Sequence, residues 1–279
     1  MILRGLLIAA AGFVFIFSPG VPLSLLTRRA PAIERGLIYW GLGLWPAALI
    51  PAFFLQSLLR QALYGSRPAN AMTGQPLDYL FTLSGALISA LLLQGGMWLV
   101  MRFKKAEPQV RLAWGLSLGF GIGLISQVFT GLGLVGAGFR LMFGPGDDPL
   151  LAALAQAGGA QLAVSLLPLV LFRPALLAIS AACGLLVARS LGEGMRPWWI
   201  AVAVSALFAW LAVVLQIAFG SQNPGQIVAG TASPLAAAAA AVYYIAAFAL
   251  AYAWIVARLE PRPGPAPQTA KPQSSAAVR

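Results

Sequence analysis

Long apolar runs follow one another along almost the whole chain, separated by short stretches rich in charge, proline or glycine. They cover residues 2–17, 37–59, 79–101, 112–138, 150–171, 174–189, 198–219 and 235–257. Most match the length of about 20 residues that a helix needs to cross a bilayer. Inside the hydrocarbon layer only helices and closed barrels satisfy every backbone polar group. The pattern therefore predicts an all-α protein, a polytopic transmembrane helical bundle of about seven to eight spans.

Composition and charge agree with a membrane environment. Charged residues make up 9% of the chain and the mean hydropathy is +0.85, whereas soluble domains carry about 25% charged residues. The net charge is +11, but the basic residues are scattered through the interhelical stretches and form no stripe. This distribution is typical of anchoring to the lipid bilayer and argues against nucleic acid as a partner. We expect a multi-pass protein of a bacterial inner (plasma) membrane.

The two ends of the chain differ. The run at residues 2–17 resembles a secretory signal but lacks a small-x-small cleavage pattern, so we predict a retained first span. The transmembrane bundle should occupy residues 1–259. Residues 260–279 are rich in proline and alanine without apolar periodicity, and we expect a disordered tail.

The sidedness of the predicted spans contains a conflict. Two basic clusters lie two spans apart and can both face the cytoplasm: Arg28, Arg29 and Arg35, and then Arg102, Lys104, Lys105 and Arg111. The acidic pair Asp147 and Asp148 then lies outside. Eight spans place the tail outside as well, although its own basic residues favour the inside. The short run 174–189, which we predict to be a tilted or partly buried helix, lies in the region 112–190 where the conflict arises.

Ionisable groups suited to proton transfer are missing from the predicted spans. The chain has no histidine, and its seven acidic residues lie in connecting stretches or at their edges: Glu34, Asp78, Glu107, Asp147, Asp148, Glu193 and Glu260. A carboxylate or imidazole inside a membrane bundle is the usual sign of a proton relay, a metal site or an acid/base catalyst. A single cysteine, Cys183, allows neither an intrachain disulfide nor a cysteine-based metal site. We therefore expect no catalytic residue, no metal and no cofactor.

The most informative motif covers residues 92–131, LLQGGMWLVMRFKKAEPQVRLAWGLSLGFGIGLISQVFTG. A span, a short basic loop and a glycine-rich span follow one another here. This arrangement resembles the core of the YhfC family of glutamic-type intramembrane peptidases, distant relatives of the CAAX prenyl proteases and PrsW. Gly119, Gly121 and Gly123 match the glycines of that family. The resemblance covers about residues 80–220 and implies a peptidase-like fold.

The same resemblance implies that the active site has been lost. Neutral side chains stand where the family has its glutamates, arginine, histidines and aspartate, and Phe172 replaces one further glutamate. As equivalents of the lost site, lining a possible groove, we predict Leu93, Gln94, Met97, Ile122, Ser126, Ser180, Ser205 and Ala209.

Small residues recur four positions apart at these sites. Ile122 and Ser126 share one helix face, and so do Ser180 and Gly184. Ser205 and Ala209 repeat the spacing. We expect these faces to form close helix contacts through small side chains.

Five glutamines lie in predicted spans: Gln94, Gln127, Gln156, Gln161 and Gln216. They can line an amide-rich pocket for an extended peptide or a lipid head group, or they can form ordinary interhelical hydrogen bonds. We favour hydrogen bonding for the set, and both interpretations stay open for Gln94.

Together these features favour a non-catalytic pseudoenzyme, a pseudo-protease that binds or scaffolds a membrane-protein or peptide client. One alternative is a membrane or substrate-binding subunit of a transporter, because glutamine-lined spans suit a site at the midplane. A second alternative is an active intramembrane peptidase that uses residues outside the family pattern.

Overall fold

The computed structural model describes residues 2–18, 35–65, 76–108, 110–144, 159–218 and 234–259. These residues form seven α-helices and no strand: α1 (Ile2–Phe17), α2 (Arg35–Tyr64), α3 (Pro76–Phe103), α4 (Arg111–Phe143), α5 (Gly159–Glu193), α6 (Arg196–Ala218) and α7 (Pro234–Leu259). By length and composition, α2 to α7 can each cross a membrane, whereas α1 is shorter, with 16 residues. The predicted all-α polytopic bundle is confirmed, and the chain is a multi-pass membrane protein in contact with the bilayer. The predicted tail, Gln156 and the pair Asp147–Asp148 lie outside the described residues.

Helix α4 forms the centre of the bundle. Every residue from 115 to 123 is buried, and the helix packs against α1, α2 and α5. A Cβ atom at Gly115 would overlap the carbonyl oxygen of Gly184, and one at Gly121 would overlap that of Ile38. The backbones of α2 and α5 can therefore approach α4 this closely only because α4 has glycine there.

Helix α1 runs antiparallel along the far half of α4. A Cβ atom at Gly5 would lie 2.6 Å from the carbonyl oxygen of Gly138, and one at Gly12 would lie 2.6 Å from that of Gly131. Glycines that face each other thus allow α1 to pack closely against α4. It places the beginning of α1 beside the end of α4.

Helix α5 is continuous, which corrects the predicted break. The runs 150–171 and 174–189 were expected to be separate helices, but residues 159–193 form one helix that contains Pro168 and Pro174. A proline removes one backbone hydrogen bond from a helix, and packed membrane helices tolerate it because neighbouring groups satisfy the freed carbonyl. Arg173 did not mark an interface either, because its side chain bonds to Ser126 inside the bundle.

The continuous helix also resolves the conflict over sidedness. Successive helices from α2 to α7 run antiparallel, so the starts of α2, α4 and α6 lie at the same end as the finishes of α3, α5 and α7. We call this the basic end, and its described cations are Arg102, Lys104, Lys105, Arg111, Arg189, Arg196 and Arg258. The opposite end carries Arg4, Arg60, Arg140 and the buried Asp78. Helix α7 therefore finishes at the basic end and α4 finishes at the opposite end.

Candidate functional site

Three of the eight predicted groove residues meet in one apolar cluster. Leu93 and Met97 of α3 pack with Ile122 of α4, next to Leu37 and Cys183. Met97 and Ile122 are buried and Leu93 is half-buried. These side chains form tight apolar packing at the place where the resemblance implies a lost site.

The serine and alanine positions are more dispersed. Ser180 is buried, and a Cβ atom at Gly119 would overlap its carbonyl oxygen. The predicted close contact of small residues is confirmed for Ser180 and Gly184, which face Gly119 and Gly115. On α6, Ser205 is half-buried and Ala209 is exposed. The eight positions therefore do not line one continuous surface among the described residues.

Two glutamines keep an unsatisfied oxygen inside the bundle. Gln94 is 3% exposed, and its Oε1 is buried without a hydrogen-bond partner. Gln127 donates from Nε2 to Ser18 Oγ at 2.7 Å, while its Oε1 is also without a partner. The side chains of Gln161 and Gln216 lie outside the described set. A buried acceptor without a donor calls for a water, an ion or a ligand.

A short polar contact in the interior joins Arg173 of α5 to Ser126 of α4. Nη1 of Arg173 donates to Ser126 Oγ at 2.6 Å. The guanidinium carbon lies 4.9 Å from the centre of the Phe172 ring. Nε of Arg173 is buried and has no hydrogen-bond partner among the described residues. We call the group of Arg173, Ser126 and Phe172 the Arg173 centre.

Ser126 of the Arg173 centre lies near the midpoint of helix α4. Ser126 follows Arg111 by 15 residues and precedes Phe143 by 17 in α4. At 1.5 Å per residue it is about 22 Å along the helix from Arg111. Helix α4 has 33 residues and is about 50 Å long. When it crosses a hydrocarbon layer about 30 Å thick, a residue at its midpoint lies within the apolar part.

Aromatic side chains form one wall of the Arg173 centre. Phe172 stacks on Phe208 of α6, with ring centres 5.6 Å apart, and meets the edge of Tyr244 of α7 at 5.2 Å. Tyr243 donates from its hydroxyl to the carbonyl oxygen of Phe208 at 3.1 Å. These contacts hold α5, α6 and α7 together beside Arg173. Phe172 therefore serves packing and faces the guanidinium with its ring.

No carboxylate of the described residues pairs with Arg173. Asp78, buried at the opposite end, accepts a hydrogen bond from the Tyr64 hydroxyl at 2.7 Å. Glu193 pairs with Arg189 at 3.0 Å, and Glu107 is exposed in the loop between α3 and α4. Arg173 therefore brings a positive charge into the interior that this part of the chain does not balance.

The chemistry that such a centre supports is anion binding. A guanidinium keeps its proton in proteins and offers a planar fork of donors that matches a carboxylate or a phosphate. Among the described residues, no group of three or more cysteine, aspartate, glutamate or histidine side chains could hold a metal ion.

Sequence reasoning missed Arg173 because it was interpreted as the boundary between two runs. The available signal was the near-continuity of the apolar stretch on both sides of it, which makes an arginine there intramembrane. Comparisons of the chain with protein-family models, with curated proteins and with solved structures found no match.

Proposed function

We propose that this membrane protein is a non-catalytic binding protein that holds an acidic group of a membrane client at the Arg173 centre. The observation that carries the proposal is a half-buried guanidinium whose described hydrogen-bond partner is Ser126 and whose buried Nε has no partner among the described residues. Leaving a charge buried without a counter-charge costs several kcal/mol. A carboxylate supplied by another molecule lowers that cost.

A helix in the bilayer can reach this position. Arg173 is half-buried, and on the same helix Leu167 and Val170 are 43% and 40% exposed. The exposed apolar surface faces lipid, so a second membrane segment can lie there without displacing water. Pairing with Arg173 also stabilises the carboxylate of that segment, because an acidic group in lipid otherwise has no counter-charge.

The surroundings of Ser126 support a binding role over catalysis. A serine nucleophile needs a neighbouring base to take its proton. Here the described side-chain partner of Ser126 Oγ is a guanidinium, which donates hydrogen bonds and cannot take a proton from serine. The neutral replacements in the YhfC-like pattern support the same proposal from the sequence. The placement in a bacterial inner membrane, with the basic end facing the cytoplasm, is part of this proposal and is supported by the positive-inside rule.

Binding of model transmembrane peptides in lipid vesicles tests the proposal. One probe is a polyleucine helix with a single central glutamate, and its partner carries glutamine instead. Association with the full chain is measured by energy transfer between fluorophores. We expect the glutamate peptide to bind at least about tenfold more tightly, since a charged hydrogen bond contributes about 1.5–3 kcal/mol.

Variants of the chain test whether Arg173 causes the preference for the glutamate peptide. Arg173→Gln should abolish the preference for glutamate, and Arg173→Lys should keep part of it, because lysine retains the charge without the planar fork. Arg60→Gln removes an equal charge from α2 and should leave the preference intact. An unchanged preference in Arg173→Gln, in a sample that still unfolds cooperatively, contradicts the proposal. Specific cleavage of either peptide would establish an enzyme instead.

A further inference from the structure

A pocket of about 430 Å³ opens at the basic end of the bundle. It lies between the end of α3, the start of α4 and the link from α5 to α6. Three cationic side chains line it, those of Arg102, Lys105 and Arg111. Its volume lies in the range of about 300–1,000 Å³ that is typical of sites for small molecules.

Arg111 is the least exposed of the three cations in the wall of the pocket. Its Nη2 donates to the carbonyl oxygen of Ala106 at 3.4 Å, and its Nε is buried without a partner. A Cβ atom at position 192 would lie 2.8 Å from Nη1, so Gly192 leaves room for the guanidinium beside α5. Because the described hydrogen bond of Arg111, the one to Ala106, is long, its guanidinium retains donors for a further acceptor.

The backbone around the pocket adds to its positive potential. Helix α4 begins at Arg111, and the preceding residue, Val110, provides no side-chain cap. The first N–H groups of a helix have no partner within the helix and attract anions. The last turn of α3 reduces this positive potential only slightly. Its carbonyl groups, at Val100, Met101 and Arg102, already accept hydrogen bonds from the following N–H groups.

The other two cations are placed by local structure. The guanidinium of Arg102 lies over the ring of Trp98, with 4.8 Å from its carbon to the ring centre. Lys105 has a φ of 52°, a left-handed conformation that reverses the chain direction after α3. None of the described residues that line the pocket is acidic.

We propose that this basic-end pocket binds a phosphate group, independently of the function proposed for the Arg173 centre. Arginine forks match phosphate oxygens in geometry, and a lysine adds a point charge. Two sources carry this chemistry, an anionic phospholipid whose head group enters from the bilayer and a soluble phosphate compound.

The test uses the purified, delipidated full-length protein and one probe for each source. Dioleoylphosphatidylglycerol is titrated against dioleoylglycerol, which lacks the phosphate, and retained lipid is counted by native mass spectrometry. Inorganic phosphate is compared with chloride at equal ionic strength by the shift in melting temperature. We expect Arg111→Gln to lower the affinity for the bound probe about tenfold, because one charged hydrogen bond is lost.

Arg258→Gln is the matched control. This cation lies at the same end on α7 and packs on Trp254 at 5.7 Å, outside the pocket, so its removal should leave binding unchanged. Arg102 is exposed, so Arg102→Gln should weaken binding only about threefold. This variant replaces Arg111→Gln in the test if Arg111→Gln does not fold. A response to the lipid or to inorganic phosphate identifies the source. Absence of both responses, or equal losses in Arg111→Gln and Arg258→Gln, overturns the proposal.

Discussion

Polar side chains inside this bundle differ in how completely their hydrogen bonds are satisfied. Gln56 of α2 donates from Nε2 to the carbonyl oxygen of Gly85 at 3.0 Å and lies 3.1 Å from Ser89 Oγ, which joins α2 to α3. Gln94 has a buried oxygen without a partner, and Arg173 has a buried Nε without one. We favoured ordinary hydrogen bonding for the glutamines. For Gln127 this holds for its Nε2, which donates to Ser18, but not for its Oε1, and for Gln94 both interpretations stay open.

A substitution at Ser126 separates a charged contact from a local one. Ser126→Ala should lower the free energy of unfolding by about 1.5–3 kcal/mol, because Arg173 loses its partner in a buried site. Ser117→Ala is the control: Ser117 is buried in the same helix and donates to Ala113 of its own turn at 2.7 Å, so its loss should cost less than about 1 kcal/mol.

Unfolding in detergent by a denaturing surfactant measures both variants. In an Arg173→Gln background the cost of Ser126→Ala should largely disappear, because the contact is already broken. Equal costs for Ser126→Ala and Ser117→Ala would show that the bond to Arg173 contributes nothing special.

At the scale of the helices, glycine decides where α4 meets its neighbours. Gly115→Ala should destabilise the bundle by roughly 1–3 kcal/mol, because the new methyl group overlaps the Gly184 carbonyl oxygen and forces the helices apart. Gly133 lies in the same helix with nothing within 4 Å of a Cβ atom. Gly133→Ala should therefore be neutral or stabilising by up to about 1 kcal/mol. The same unfolding assay compares the two, and a greater loss in Gly133→Ala would contradict the packing described here.

Most helix positions could be predicted from the sequence, because long apolar runs have few alternatives in a membrane. The predicted runs 37–59 and 79–101 correspond to α2 and α3. Helix α5 could not, since proline and arginine are normally boundary signals. Within α5, Arg173 bonds to a partner 47 positions away in the chain, a contact that only the folded bundle supplies.

The site was less predictable than the helices. Spacing placed Ser205 and Ala209 on one face of α6, but the direction of that face depends on which helices pack beside it. In the bundle Ala209 is exposed, while Ala201, Val202 and Ala206 of α6 are buried. Spacing along one helix therefore did not determine which side chains converge between helices.

For the molecule as a whole, the path of the chain predicts which loops share a side of the membrane. Cys183 is fully buried, so an introduced surface cysteine can be labelled with little background. Glu107→Cys and Met195→Cys lie at the basic end, separated by α4 and α5. A membrane-impermeant maleimide should label both from one side of sealed vesicles, and Phe143→Cys from the other.

This labelling distinguishes the continuous α5 from a broken one. If α5 were two spans, three crossings would separate residues 107 and 195, and the two cysteines would be labelled from opposite sides. Vesicles of both orientations provide the control, since each cysteine must become accessible in one of them.

The central claim is that the charge of Arg173 selects a partner of opposite charge inside the bilayer. The most direct test is a charge exchange between Arg173→Glu and model transmembrane helices that carry a central glutamate or a central lysine, with association measured by energy transfer. The account predicts that the wild-type chain prefers the glutamate helix and that Arg173→Glu prefers the lysine helix. If Arg173→Glu keeps the wild-type preference for glutamate, the centre does not recognise charge and the account is wrong.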